Sequence, residues 1–198
     1  MTATITETFA PAIGPATNSP AAVREALSRL HEACHVVAVS DHVHITSSVP
    51  ARGRLLAVLP PCVPQGLGSA AFRNAHRVKL AYLAGGMALG IASTDLVTAM
   101  ARAGLLAAFG AGGLPLPDVE RAAAQLSAAT AGASYVMNLL HAPHDPALEQ
   151  KTVEIYLQHG VRAVEASAFM DLTAALVRYR VSGLRRRGQA IAISHKVI

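Results

Sequence analysis

The chain has 198 residues, of which 52% are hydrophobic and 4% aromatic, a composition typical of an α/β core packed with small side chains. Its formal net charge is +5, but the basic residues near the end of the chain form no nucleic-acid motif, so no nucleic-acid partner is predicted. The apolar stretches are broken by glycines and too short to cross a bilayer, and the two cysteines lack metal-like spacing, which favours a cytoplasmic protein with reduced thiols and no membrane partner.

The first part of the chain predicts a small α/β subdomain behind a leader. Residues 1–20 lack the basic start and apolar core of a secretory signal and are typical of a disordered segment. In the subdomain, at 21–68, His42 and His44 share one face of a strand, but no third ligand is evident, so no metal site is predicted. Its predicted elements are a helix at 21–33 and strands at 35–39, 42–46 and 55–59.

From residue 69 the pattern becomes a regular alternation of strands and helices. An apolar run at 80–84 has the length of a buried strand and ends in Gly85-Gly86, where the backbone can turn sharply and a flat ligand can approach. Ser93 and Asp95 offer an N-cap and a first-turn residue for the next helix. The other predicted elements are helices at 69–76, 94–103, 117–130 and 146–160, a short helical piece ending at 180, strands at 105–109, 135–140, 161–166 and 191–198, and a turn at 183–188.

Strands at intervals of about 25–30 residues, each followed by a helix, are typical of a parallel sheet. Two arrangements fit this pattern, namely an open doubly wound sheet of five strands or a (β/α)8 barrel. A complete barrel takes about 250 residues. The predicted fold class is therefore α/β, an incomplete (β/α)8 TIM barrel made of about the first four to five βα units at 69–198. The doubly wound sheet remains the alternative.

Five stretches of the sequence, in this order, resemble a known family of flavoproteins. They are Ala-Gly-Gly-Met-Ala-Leu-Gly-Ile-Ala-Ser at 84–93, Phe-Gly-Ala-Gly-Gly-Leu at 109–114, Asn-Leu-Leu-His-Ala-Pro at 138–143, Glu-Ala-Ser-Ala-Phe-Met-Asp-Leu-Thr at 165–173 and His-Lys-Val-Ile at 195–198. The family is that of the nitronate monooxygenase and 2-nitropropane dioxygenase-like proteins. The resemblance is closest to the PfaD-type trans-acting enoyl reductases of polyketide and polyunsaturated fatty acid synthases, and it covers about residues 55–198.

This resemblance implies an FMN-binding TIM barrel that reduces the enoyl double bond of acyl chains on an acyl carrier protein, with NADPH as hydride donor. Asn138 would hydrogen-bond the flavin from the end of the third barrel strand. Lys196, at the end of the fifth strand, would bring a positive charge to the flavin's electron-rich side. The residues that the resemblance places against the isoalloxazine ring are Gly85, Gly86, Met87 and Ala88.

Several other residues have both a functional and a structural interpretation. His141 would touch substrate or be an ordinary polar loop residue. Glu165 and Asp171 could form an acid–base pair, but a structural role is favoured, with Glu165 pairing with a neighbouring arginine and Asp171 capping a short helix. Arg185, Arg186 and Arg187 are interpreted as a solvated turn, with a docking patch for an acidic carrier protein as the alternative.

In the resembling family, the FMN phosphate is held by glycine-rich loops after later strands, and a histidine in a Ser-Gly-Gly-His-like stretch supplies a catalytic group there. Those segments would lie beyond Ile198, so the catalytic residue is unknown from this sequence. The prediction includes a homodimer or a complementing C-terminal half as partner. Two alternative functions stay open, namely an oxidase of small nitroalkanes and a truncated or assembly fragment without catalysis of its own.

Overall fold

The computed structural model describes residues 20–46 and 53–198. The chain divides into two compact units, Met1–Leu67 and Gly68–Ile198. Apart from Pro20, the leader predicted at residues 1–20 lies outside the described residues, so its disorder stays a prediction.

The first unit consists of a helix followed by a three-stranded antiparallel sheet. Helix α1 spans Pro20–Ser28, and the sheet contains β1 (Cys34–Val39), β2 (His42–Thr46) and β3 (Arg54–Leu59) in the order β2-β1-β3. A short 3-10 turn follows at Pro64–Gly66. The strands predicted in this part of the chain are therefore confirmed.

Helix α1 is shorter than the helix predicted at 21–33. The hydroxyl of Ser28 donates to the carbonyl of Glu25 (2.7 Å), and the amide of Glu32 bonds the carbonyl of Arg29 (2.9 Å) in a separate turn. The carbonyl of Leu30 accepts instead from the amide of Cys62 (2.7 Å). The chain leaves the helix early because it pairs with a segment distant in sequence, which apolar spacing does not reveal.

The second unit alternates helices and strands around a parallel sheet, as predicted. Its elements are α2 (Ala70–His76), β4 (Leu83–Ala84), α3 (Thr94–Arg102), β5 (Leu106–Phe109), α4 (Leu116–Ala129), β6 (Val136–Leu140), α5 (Pro146–Gln158), β7 (Ala163–Ser167) and α6 (Ala174–Ser182). A hairpin of β8 (Leu184–Arg187) and β9 (Ala190–Ile193) precedes the last strand, β10 (Lys196–Val197).

The five strands of this sheet lie in the order β10-β7-β6-β5-β4, and every pairing is parallel. This order follows the chain without reversal, whereas a doubly wound sheet reverses its order at a switch point. Helices α3, α4, α5 and α6 each pack against the next, which places them in one layer on one face of the sheet. The doubly wound alternative is therefore wrong.

Alternate residues of the strands face opposite sides of the sheet. The side toward the helices forms the larger core, where Met137 and Val164 are fully buried. The opposite side, here called the inner face, has a smaller cluster to which Phe72 of α2 contributes. The strand residues of that cluster are Leu106, Ala108, Val136 and Ala163. Two residues after Val136 on β6 comes Asn138, and two residues after Ala163 on β7 comes Glu165, so both side chains also lie on the inner face.

Side-chain caps begin four of the helices that the structure describes, and Ser69 caps the first of them, α2. Ser93 caps α3 and Asp95 occupies its first turn, so this prediction is confirmed. Asp145 caps α5 in the same way. The prediction that Asp171 caps the last helix is wrong, because the hydroxyl of Thr173 accepts the hydrogen bond from the first turn of α6.

The first sheet strand is shorter than the apolar run at 80–84. Only Leu83 and Ala84 pair with β5, opposite Leu106 and Ala107. The amide of Lys79 already bonds the carbonyl of Gly104 (2.8 Å), so the residues between the two contacts are out of register with β5 and bend. Continuous hydrophobicity therefore overstated the length of this strand.

The segment between α6 and β10 differs from the predicted turn at 183–188 and strand at 191–198. Arg185, Arg186 and Arg187 lie on an exposed strand that pairs antiparallel with β9. Gly188, with φ of 62°, makes the tight turn between the two strands. The predicted last strand is split between this hairpin and β10, because only β10 reaches β7.

Candidate functional site

Asn138 lies near the carboxyl edge, the edge of the parallel sheet at which its strands end. It occupies the middle of β6 on the inner face and is only 7% exposed. Its amide nitrogen donates to the hydroxyl of Ser167 (2.6 Å) and to a carboxylate oxygen of Glu165 (3.2 Å). The backbone carbonyl of Asn138 accepts from the hydroxyl of Tyr156 (2.6 Å). The side-chain amide of Asn138 is therefore fixed by β7, and its backbone carbonyl is fixed by α5.

Glu165 connects three strands at this edge. Its carboxylate accepts from the amide of Gly86 (2.9 Å), just after β4, and from Asn138 on β6, while its own backbone belongs to β7. No arginine pairs with Glu165 within the described part of the chain, so the predicted arginine partner was wrong. The bonds to Gly86 and Asn138 agree with the structural role that the sequence favours. The Glu165 carboxylate and the Asn138 amide therefore form one hydrogen-bonded polar pair on the inner face.

The glycine after β4 lies close to the side chains of Glu165 and Asn138, and the glycine after β5 lies close to the backbone of Met87. A Cβ added to Gly86 would lie 2.7 Å from the Glu165 carboxylate and 3.1 Å from Cβ of Asn138. A Cβ added to Gly110 would lie 1.6 Å from the carbonyl oxygen of Met87, far closer than two atoms that are not bonded to each other can approach. The two glycine loops are therefore pressed together, and the side chain of Met87 is left 48% exposed above them.

A second network holds the loop that follows β6. The carboxylate of Glu149, 3% exposed on α5, accepts from Nδ1 of His141 (3.0 Å), from the amide of Ala142 (3.3 Å) and from the hydroxyl of Thr173. The His141 ring also packs on the ring of Phe169, with centroids 4.9 Å apart. His141 is thus held by a buried carboxylate, as a structural role requires, and its contact with substrate stays a prediction.

Glu149 is a buried carboxylate that stays ionised. Burial alone would raise its pKa, but the hydrogen bonds from Thr173, His141 and the Ala142 amide outweigh that effect and hold the pKa below its usual value. The charge therefore stabilises the fold at neutral pH by fixing the β6–α5 loop to the beginning of α6.

A shallow cleft opens at the carboxyl edge between the loops that follow β5 and β6. Asn138, Glu149 and Thr152 supply its polar lining, and the glycine loop after β5 supplies bare backbone. The other lining residues are apolar or small, among them Leu114, Val119, Leu140 and Leu148. The cleft suits a group that presents hydrogen-bonding atoms on one edge and apolar surface on the other.

Lys196 is not brought together with Asn138 and the glycines. It begins β10 rather than ending it, and it lies opposite Ala163, the first residue of β7. Its ammonium group donates to the carbonyl of Ala75 in α2, toward the amino ends of the strands. Burial, with the positive charges of Arg77 and Arg162, lowers the pKa of Lys196. The predicted position at the strand end was wrong, and a role toward a cofactor stays a prediction.

Sequence reasoning found Asn138 and the glycines but missed the residues that support them. Ser167, Tyr156 and Glu149 had no local signal, because their partners lie 18 to 29 residues away in the chain or, for Glu149, in two other loops. A glutamate among apolar helix positions is the one available hint, since such a position is normally filled by an aliphatic residue.

Removing the Tyr156 hydroxyl tests how firmly β6 is held. Burial, with the nearby Tyr179, raises the pKa of Tyr156, so the group is a neutral donor at neutral pH. We expect Tyr156→Phe to lower the free energy of unfolding by about 1–2 kcal/mol, because the buried carbonyl of Asn138 loses this donor. The half-exposed Tyr82 is the control, and Tyr82→Phe should change stability by less than about 0.5 kcal/mol in the same urea titration. Equal effects of the two changes would contradict the assignment.

Two further classes of site are absent from the part of the chain that the structure describes. It contains no group of three or more His, Cys, Asp or Glu side chains arranged to hold a metal ion. Among its helices, none has both the length and the apolar character needed to cross a membrane.

No family model matches this chain. It is similar to a polyunsaturated fatty acid synthase protein of Thraustochytrium sp., with 42% identity over 142 residues, covering 71% of this chain and 10% of that protein. It is also similar to the polyketide biosynthesis protein PksE of Bacillus subtilis, with 42% identity over 123 residues, covering 62% of this chain and 16% of that protein.

A solved structure gives the same indication. The fold is similar to the enoyl reductase domain of MlnA from the macrolactin biosynthesis cluster of Bacillus amyloliquefaciens, with a TM-score of 0.65 and 28% identity over 67% of this chain and 31% of that chain. The chain thus spans only a small part of the relatives' length. These findings confirm the resemblance to the enoyl reductases of polyketide and polyunsaturated fatty acid synthases.

Proposed function

We propose that this chain, a relative of polyketide and polyunsaturated fatty acid synthase proteins, is the flavin-ring-binding part of an FMN-dependent, trans-acting enoyl reductase. The intact enzyme reduces enoyl thioesters carried on an acyl carrier protein, with NADPH as hydride donor, in the cytoplasm. The observation that carries the proposal is the meeting of Gly86, Asn138 and Glu165 at the carboxyl edge of a sheet similar to that of an enoyl reductase domain.

The sheet supports the incomplete-barrel part of this proposal. In a (β/α)8 barrel each strand pairs with the next strand of the chain, and all helices lie outside. The described sheet follows both rules from β4 to β10, with its helices in one layer. Active sites of such barrels lie at the carboxyl ends of the strands, which is where Asn138 and the glycine loops are found.

The residues at the carboxyl edge fit a flavin ring. The ring is flat, apolar on its faces and polar along its pyrimidine edge, so it needs bare backbone beside a few hydrogen-bonding groups. Gly112 and Gly113 leave bare backbone along the cleft, and Asn138 supplies an amide to the same cleft. Gly85 and Gly86, which the resemblance places against the ring, follow β4 at the same edge of the sheet. Met87 and Leu140 add exposed apolar surface next to them.

The chain's own residues would bind and orient in this reaction. When bound, FMN supplies the hydride carrier between NADPH and the enoyl double bond. Asn138 would fix the edge of the ring, while the glycine loops would let it approach the backbone. The Glu149 network would keep the β6–α5 loop in place beside the site, since it ties that loop to α6.

The visible spectrum of the purified chain after addition of FMN and desalting tests the proposal. We expect retained flavin absorbance in the wild type and its loss in Asn138→Ala, because the amide would no longer hold the ring. Asn74→Ala is the matched control, since Asn74 is exposed on α2 at the opposite edge of the sheet, and it should retain flavin. A colourless wild-type protein would overturn the proposal for this chain and favour a fragment that has no cofactor of its own.

A further inference from the structure

The side chain of Asn138 can be oriented from its partners alone. An asparagine amide has a donor end and an acceptor end that look alike in shape. Here one end faces the carboxylate oxygen of Glu165 at 3.2 Å and the backbone carbonyl of Glu165 at 3.5 Å, and both of these groups accept only. The end that faces them must therefore be the nitrogen, since an oxygen there would meet two acceptors.

The amide oxygen is consequently turned the other way. It lies on the side of Gly112, 3.6 Å from the position that a Cβ on that glycine would take, and both residues line the cleft at the carboxyl edge. Within residues 20–46 and 53–198, no hydrogen-bond donor reaches this oxygen. The side-chain oxygen of Asn138 is therefore an acceptor that faces the cleft, while its side-chain nitrogen donates to residues of β7.

We infer that Glu165 and Ser167 are positioning residues that orient Asn138 so that the site selects a ligand carrying an N–H donor at this point. This inference rests on the proposed function, in which the ligand is a flavin ring, whose imide group offers such an N–H. One oxygen of the Glu165 carboxylate, Oε2, accepts from both the Asn138 amide and the Gly86 amide, which keeps the nitrogen of Asn138 turned toward β7. Ser167 adds a third acceptor at 2.6 Å from the amide nitrogen.

A ligand comparison tests the acceptor. Lumiflavin and lumiflavin methylated at its imide nitrogen differ in the one N–H that Asn138 would accept. We expect the methylated ring to bind the wild-type chain about tenfold more weakly, the effect of one lost hydrogen bond. In Asn138→Ala, whose weaker binding is measured by equilibrium titration rather than after desalting, methylation should not change the affinity of the ring. Equal binding of both rings to the wild type would overturn the inference and leave flavin binding itself intact.

A charge exchange tests the positioning role without any ligand. Asn138→Asp places a second carboxylate against Glu165, so the urea midpoint should fall. Adding Glu165→Gln removes the second negative charge while its amide oxygen can still accept from Gly86, so the double variant should regain part of the lost midpoint. Asn74→Asp, the same change on the exposed side of α2, should leave the midpoint unchanged.

The two experiments separate the inference from the proposed function. If neither lumiflavin binds, the proposed function fails, and the positioning inference is decided by the urea midpoints. If Glu165→Gln fails to rescue Asn138→Asp, the positioning inference fails whatever the flavins do. The side-chain amide signals of Asn138 in a nitrogen-15 spectrum give a third measure, since they should shift in Ser167→Ala.

Discussion

Replacing Glu149 with alanine is expected to lower the free energy of unfolding by about 3 kcal/mol or more, because three donors lose their common acceptor. These donors are Nδ1 of His141, the amide of Ala142 and the hydroxyl of Thr173. The site is nearly closed to water, so solvent cannot replace the carboxylate without rearrangement. The missing side chain also leaves a cavity, which adds to the cost.

Urea denaturation followed by circular dichroism measures this effect. Glu154 gives a control on the same helix, since its side chain is half-exposed and forms an ion pair with Arg178 at the surface. Glu154→Ala should cost less than about 1 kcal/mol. If the two variants were equally stable, the buried network would not hold the loop as described.

The same residue gives a pH dependence with a definite sign. The pKa of Glu149 is lowered in the folded chain from its ordinary value of 4.5, so the folded state binds the proton less well than the unfolded state does. Its stabilising contribution is present above pH 4.5 and is lost as the pH falls through the lowered pKa. Glu149→Gln should lack this part of the acid transition, which pH-dependent urea midpoints would show.

Gly110→Ala is expected to cost about 3 kcal/mol or more, at the upper end of the effects of overpacking. The new methyl group would overlap the backbone carbonyl of Met87, and a backbone atom cannot move aside as a side chain can. The peptide groups around Gly110 are also fixed, because its amide donates to the carbonyl of Ala92 (3.0 Å) and its carbonyl accepts from Gly90 (2.9 Å). Relief of the overlap would therefore break these bonds.

Gly112 provides the matched control, two residues further along the same loop. A Cβ there would meet its nearest neighbour, a methyl group of Leu140, at 3.4 Å, an ordinary contact. Gly112→Ala should change the free energy of unfolding by less than about 1 kcal/mol. Thermal or urea unfolding of the two variants side by side distinguishes them, and a tolerated Gly110→Ala would refute the close approach of the two loops.

The sequence predicted the elements of the second unit well where local signals were strong. Ser93 before α3 has the side chain that caps a helix. Pro146 at the start of α5 and Gly160 after its end are residues typical of helix ends. Asn138 was singled out because a polar amide between apolar strand residues needs a partner. In each case the deciding information lies within a few residues of the element.

The wrong predictions concern residues whose position depends on partners that are distant in the sequence. The predicted arginine partner of Glu165 was wrong because its actual partners, Gly86 and Asn138, lie on strands that only the folded sheet brings beside it. Lys196 was assigned to a strand end because the register between β7 and β10 has no local signal. The hairpin of β8 and β9 was missed because three consecutive arginines resemble a solvated turn more than a strand.

The order of the sheet strands has a consequence for how the second unit can fold. Because β5, β6 and β7 each pair with the strand before them in the chain, these strand pairings reach back only one βα repeat. Such short loop closures cost little entropy. During synthesis, each new repeat can therefore pack on the repeat before it. The strands that have already been synthesised can pair without waiting for later parts of the chain.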